Sequence, residues 1–212
     1  MSQVVEVFHP LVRHHLTRLR DRNATPAEFR ASLRRLAALL ACEATSDLEV
    51  QDVSIQTPLT AMIGSELKTQ VALVPILRAG LGMIDPILDL IPTAEVWHLG
   101  LYRDEATARP VEYYSKLPET RPVDVAFVLD PMLATGGSAT VAIESLRNWG
   151  VRTIKLLSVI AARDGINAVA ARFPDAQIFV CAIDADLNAN KFIVPGLGDA
   201  GDRTFNTLRH PE

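Results

Sequence analysis

The chain has 212 residues, a length that suits one domain, and 49% of them are hydrophobic, enough to fill a sizeable core. Lys and Arg total 21 against 25 Asp and Glu, a net charge of -4, so no basic face broad enough to drive nucleic-acid binding is expected. The longest apolar run, VALVPIL, stops at Arg78, well short of a membrane span of roughly 18 residues, and MSQVVEVFHPLVRHH carries no secretory pattern; a cytoplasmic protein with no membrane partner is expected.

Two helices are predicted first. HPLVRHHLTRLRDRN places Pro10 in a first turn, and TPAEFRASLRRLAALLACEA opens on Thr25 as N-cap, with Pro26 at N1 and Glu28 completing a capping box. Phe29, Leu33, Leu36, Ala37 and Leu40 fall on one stripe, which should pack on the main body. His14 and His15 point in different directions with no third ligand in view, so they read as solvated surface and no metal ligand set is assigned. Cys42 and Cys181 lie far apart without a C-x-x-C spacing and read as two buried, reduced thiols.

From residue 71 short apolar runs alternate with helical ones: VALVPIL, LGMIDPILDLI, AEVWHLGLY, a polar stretch, VAFVLD, SATVAIESLRNWG, TIKLLSVIA, a short helix around INAVAARF, then QIFVCAI. Runs apolar on both faces suit interior strands covered by helices, which predicts a doubly wound, mostly parallel α/β sheet in a single domain over residues 1–212. Ligands in such sheets gather at the carboxyl ends of strands, so the loops directly after residues 77, 101, 130 and 160 are the ones that matter.

VLDPMLATGGSATVAIESL is the most informative of them. A strand ends in Asp130, a short turn holds Thr135, Gly136, Gly137 and Ser138, and a helix follows with Ala139, Ala142, Ile143, Leu146 and Trp149 on one face and Gly150 as its stop. Free N–H groups at a helix start, the macrodipole and glycines without a Cβ make an anion pocket, to which Thr135 and Ser138 can add hydroxyls. No lysine follows the glycines, so this is not a Walker loop, and their spacing is wrong for a Rossmann loop. An ordinary turn capped by Ser138 is the plainer reading, but Asp130 adds a carboxylate where ribose hydroxyls could be gripped beside a phosphate.

Two other stretches stay open on the residues alone. In PILRAGLGM, Arg78 is either a surface arginine in a turn or, with the loop amides, a pyrophosphate clamp. YRDEATARPVEYYSKLPETRP is either a solvated connection or a binding arm, the usual role of so long a loop in a compact domain. GLGDAGDR spells G-x-G-x-x-G, yet only DRTFNTLRHPE follows Gly201, too little for the helix, strand and acidic residue of a dinucleotide unit. Pro195 and Phe205 make it a packed segment rather than a loose tail.

Taken together, PILRAGLGM, GLYRDEATARPVEYYSKLP, LDPMLATGGSA and FIVPGLGDAGDR resemble the uracil phosphoribosyltransferases, a branch of the type I phosphoribosyltransferases, in order and spacing; HPLVRHHLTRLRD and IQTPL extend the likeness over nearly the whole chain. The resemblance implies that family's fold: N-terminal helices, a projecting β-arm and a C-terminal base-binding loop. It implies conversion of uracil and 5-phospho-α-D-ribose 1-diphosphate to UMP and diphosphate, in pyrimidine salvage. Arg78, Arg103, Asp130, Pro131, Met132, Leu133, Ala134, Thr135, Gly136, Gly137, Ser138 and Asp199 would bind the phosphoribosyl substrate, with Lys116 assisting. Ile193, Gly198, Asp199 and Ala200 would meet uracil, largely through the main chain, and Arg103, Asp130 and Asp199 would form the catalytic set. The same resemblance implies Mg2+ as cofactor, a homo-oligomer of at least two subunits and a GTP effector of the kind some relatives use. The chain departs from the family pattern at Lys191 and Asn206, where glycine is common, and at Phe192, where tyrosine is common. Two alternatives are a nucleotide-sensing regulator on the same fold, which should show a basic face, and a phosphoribosyltransferase for another base.

Overall fold

The computed structural model describes residues 3–103, 110–115, 117–118 and 121–207, with the backbone alone at 101–103 and 110–115. The chain opens with strand β1 (Val4–Glu6), helices α1 (Pro10–Arg20) and α2 (Pro26–Ala44), and a hairpin of β2 (Val50–Gln56) and β3 (Ala61–Leu67). Next come β4 (Val71–Leu77), a 3-10 turn (Ala79–Met83), α3 (Ile84–Leu88), β5 (Glu95–Val96), β6 (Leu99–Arg103) and β7 (Pro110–Ser115). The second half runs β8 (Val125–Leu129), β9 (Met132–Leu133), α4 (Gly137–Trp149), β10 (Thr153–Ala162), α5 (Arg163–Arg172) and β11 (Gln177–Asp184). A hairpin of β12 (Asp186–Leu187) and β13 (Ile193–Val194) leads to α6 (Ala200–Phe205).

Both N-terminal helices start as their sequences dictate. Pro10 opens α1 while His9 accepts from the Leu11 N–H, and in α2 Thr25 Oγ1 accepts from the Glu28 N–H as the Glu28 carboxylate accepts from the Thr25 N–H. The α2 stripe of Phe29, Leu33, Leu36, Ala37 and Leu40 is fully buried.

The strands lie in the order β1-β11-β10-β8-β4-β6-β7, parallel except for the β6–β7 pair. Each face has its own core. Leu73, Phe127, Leu129 and Leu157 pack with α1, α2 and α3, while Val74, Val128, Ile154 and Leu156 pack with α4 and α5. Coverage on both sides explains why these runs lack polar alternation. Lys155, fully buried within β10, is tolerated because its ammonium donates to the Ala44 carbonyl at 2.7 Å and pairs with Asp47 just past α2.

Three details differ from the sequence reading. AEVWHLGLY is two strands, interrupted at Trp97–His98, although both pieces keep one register against β4 and the Trp97 N–H still donates to the Leu73 carbonyl. Cys42 is exposed on α2, off the buried stripe; Cys181 is buried in β11, and burial pushes its thiol up to about 12. The β2–β3 hairpin, unanticipated, stands away from the sheet with Val50, Ile55, Leu59, Met62 and Ile63 exposed.

The topology selects the site. From β4 the chain proceeds to β6 on one side; from β8 it proceeds to β10 on the other, so the winding reverses between β4 and β8. The crevice beyond the carboxyl ends of those two strands is where ligands of such sheets bind, and Arg78 and Asp130 flank it.

Candidate active site

The turn after β8 is built by backbone bonds. The Asp130 N–H donates to the Leu157 carbonyl, the Pro131 carbonyl accepts from Val159 and Ile160, and Met132 and Leu133 rejoin β10 as β9. At Gly136 the chain turns with φ +80°, a left-handed conformation favouring glycine, and a Cβ there would sit 2.9 Å from the Gly165 carbonyl oxygen. Helix α4 begins at Gly137, so Ser138 lies inside its first turn and does not cap it; Gly136 is the N-cap and supplies no side-chain bond. The first-turn N–H groups therefore face a cleft of about 140 Å³ lined by Asp130, Met132 and residues 133–139. Pro131 is buried under the turn and does not line the cleft, and the Leu133 side chain belongs to the core, which leaves its main chain for a ligand.

Asp130 is half-buried. Desolvation pushes its carboxyl up to about 7; the Met132 N–H, bonded to Oδ1 at 3.3 Å, opposes the rise, and the charge of Asp199 adds to it. Asp199 caps α6, its Oδ1 accepting from the Asp202 N–H at 2.9 Å. Across the crevice the Arg78 guanidinium donates to Asp202 Oδ1 at 2.9 Å and Thr207 Oγ1 at 3.3 Å. A Cβ on Gly201 would lie 3.2 Å from Asp199 Oδ1 and 3.7 Å from Arg78 Nη2, so the two side chains flank that glycine. Residues from the ends of β4 and β8 thus meet those of the C-terminal segment in one crevice. Arg103 ends β6, next to β4, with its backbone paired to Pro110; its side chain, and Lys116 altogether, lie outside the described residues.

The C-terminal segment is tightly held, by residues that the sequence reading missed. Arg20, the last residue of α1, makes a bidentate pair with Asp184 at 2.7 and 2.8 Å and donates to the Gly196 carbonyl at 2.7 Å, while the Gly196 N–H donates back to Asp184. Arg203 donates to the carbonyls of Leu19, Leu197 and Asp21 and stacks 4.5 Å over the Phe29 ring. The one available signal was Asp184, a lone acid ending an apolar strand. Ile193 and Ala200 bury their side chains in the core, so only their main chain can meet a ligand, while Gly198 is exposed at φ +76°. The glycines follow an antiparallel hairpin, not a parallel strand, and lead into the six-residue α6; no dinucleotide unit forms around them. Lys191 and Asn206 sit at φ 63° and 55°, in the left-handed region that favours glycine.

A doubly wound sheet with a glycine turn opening a helix at its switch point and a C-terminal segment folded across that crevice is the architecture of the type I phosphoribosyltransferases. The family model for uracil phosphoribosyltransferase matches residues 6–207. Among similar proteins, the uracil phosphoribosyltransferase of Roseiflexus sp. (strain RS-1) is 56% identical over 98% of this chain and 100% of its own. That of Lysinibacillus sphaericus (strain C3-41) is 48% identical with the same coverage of both. The solved structure of the AQ2163 protein from Aquifex aeolicus superposes with a TM-score of 0.93 at 34% identity, over 98% of this chain and 100% of that one. The chain belongs to the uracil phosphoribosyltransferase family.

Proposed function

We infer that this enzyme transfers the phosphoribosyl group of 5-phospho-α-D-ribose 1-diphosphate to N1 of uracil, giving UMP and diphosphate in pyrimidine salvage. The observation that carries the reading is the convergence of Asp130 and the 134–138 turn with Asp199 and Arg78, on a sequence whose full-length relatives bear that name. As the C1–O bond breaks, its electron pair leaves with diphosphate and the ribose gains positive charge; uracil N1 supplies the electron pair of the new bond, and its proton passes to solvent. Arg78, with Arg103 brought from the end of β6, neutralises the departing diphosphate, and the carboxylate of Asp130 orients the ribose hydroxyls. The first-turn N–H groups of α4 anchor the 5-phosphate. The main chain at Ile193, Gly198 and Ala200 reads the acceptor, donor, acceptor edge of uracil; the amino group of cytosine would leave a buried donor unpaired, at about 1 to 3 kcal/mol.

Asp130 and Asp199 offer oxygen donors of the kind Mg2+ takes, and no cluster of three or more ligating side chains occurs among the described residues. This donor set fits an ion that arrives with the diphosphate, and Asp130 and Asp199 would be the residues to hold it. An Mg2+ ion there would supply charge compensation for the leaving group. The exposed apolar hairpin β2–β3 supports a homo-oligomer. No helix among the described residues is long and apolar enough to cross a membrane. Incubation with labelled uracil, cytosine, hypoxanthine and orotate, each with the activated sugar and magnesium, should yield a nucleotide from uracil alone. A nucleotide from another base in preference to UMP would refute the assignment.

A further inference from the structure

Lys191 stands on the wall of the phosphate cleft in a backbone conformation that lysine seldom takes, φ 63°. The tip of the β12–β13 hairpin fixes it there. Asn188 Oδ1 accepts the N–H groups of Asn190 at 3.0 Å and Phe192 at 2.9 Å, and the Lys191 N–H donates to the Asn188 carbonyl at 2.8 Å. A left-handed position held this firmly favours glycine, so nothing in the backbone itself calls for a lysine there.

The cleft shows what it can act on. Asp130, Thr135, Gly136, Ser138 and Ser158 line it together with Lys191, and among those lining residues Lys191 is the one cation. Its ammonium has no ion pair or hydrogen bond among the described residues. Ser158, fully buried in β10, also lines the cleft, and its hydroxyl has no hydrogen-bond partner among the described residues. A buried hydroxyl without a partner is costly, and a cleft whose lining combines such a serine with free helix N–H groups and an unpaired lysine is arranged for an anion.

We propose that Lys191 is a substrate-binding residue whose ammonium pairs with the 5-phosphate dianion of the phosphoribosyl substrate and of UMP, closing over it opposite the first turn of α4. This rests on the reading that the 134–138 turn takes that phosphate. The hairpin carrying Lys191 runs directly into the segment assigned to uracil, so one short stretch, residues 188–200, holds both the phosphate and the base.

Lys191→Gly is the informative variant, because it removes the charge while relieving the left-handed backbone and so leaves the fold intact. The expected result is a rise of roughly tenfold or more in KM for 5-phospho-α-D-ribose 1-diphosphate, as for loss of one charge-assisted hydrogen bond, with kcat within about twofold. Calorimetric titration should show UMP affinity falling by a similar factor, uridine affinity unchanged, and a shallower salt dependence for UMP. Lys191→Arg should recover most of the loss and Lys191→Gln none. UMP affinity equal to wild type, or an equal loss for UMP and uridine, would overturn the proposal. If the wild-type enzyme itself binds UMP no better than uridine, the assignment of phosphate to the turn fails first, and the lysine's role with it.

Discussion

Replacing Asp130 with asparagine should make the ligand-free protein more stable and the enzyme worse. The carboxyl is raised from 3.8 to about 7, mainly because the crevice desolvates it. The folded state therefore holds a proton that the unfolded chain has released over that interval. Stability contributed by this group is complete below about pH 4, is lost as pH rises toward about 7, and stays lost above it. The interval corresponds to about 4 kcal/mol as an upper bound, and to about 2 kcal/mol after allowance for solvent reaching a half-buried group. The amide introduced by Asp130→Asn keeps an oxygen for the Met132 N–H and carries no charge, so at about pH 8 the variant should melt about 4 to 8 °C higher than wild type. Near pH 4 the two should coincide. Thermal unfolding across that range, paired with titration of the phosphoribosyl substrate, checks both halves; its affinity should drop at least tenfold through loss of the ionised acceptor. Parallel melting curves with a constant offset at every pH would refute the account, because a titrating carboxylate cannot give them.

Arg20→Ala should cost about 3 kcal/mol in urea denaturation, since it strands the buried Asp184 without its partner, and should raise KM for uracil as Gly196 loosens; a loss below about 1 kcal/mol would show that the pair does not hold the base segment. Gly136→Ala forces a Cβ into a left-handed turn and against the Gly165 carbonyl, so stability should fall by about 1 to 2 kcal/mol and affinity for the phosphoribosyl substrate by about tenfold. Arg103→Ala should lower kcat about 100-fold in steady-state assays, comparable to removing a preorganised electrostatic donor, with an unchanged rate excluding that side chain from the chemistry.

How far the sequence alone reached depends on whether the information was local. The central strands, the capped helix α2, the stop at Gly150 and the turn after Leu129 were all legible, because an apolar run, a capping box or a glycine pair acts on its immediate neighbours. Pro131 could not be separated from its neighbours in the same way: whether it lines the cleft or lies under it depends on β10, which arrives more than twenty residues later. The β2–β3 hairpin escaped because both its strands are largely exposed, with no packing partner beyond each other among the described residues, and so lack the apolar period that marks a buried strand.

Long-range pairing lies beyond any local reading. That Arg20 closes on Asp184, that Arg203 collects carbonyls from the end of α1 and from Leu197, and that Lys191 reaches the cleft under α4 follow only from the winding of the sheet. The sequence by itself determined most of the elements and the expectation of an anion at the start of α4, because hydrophobic period and helix-end chemistry are written within a few residues. Only the tertiary structure decided which charges share a crevice, because that depends on strand order, and strand order is a property of the whole sheet.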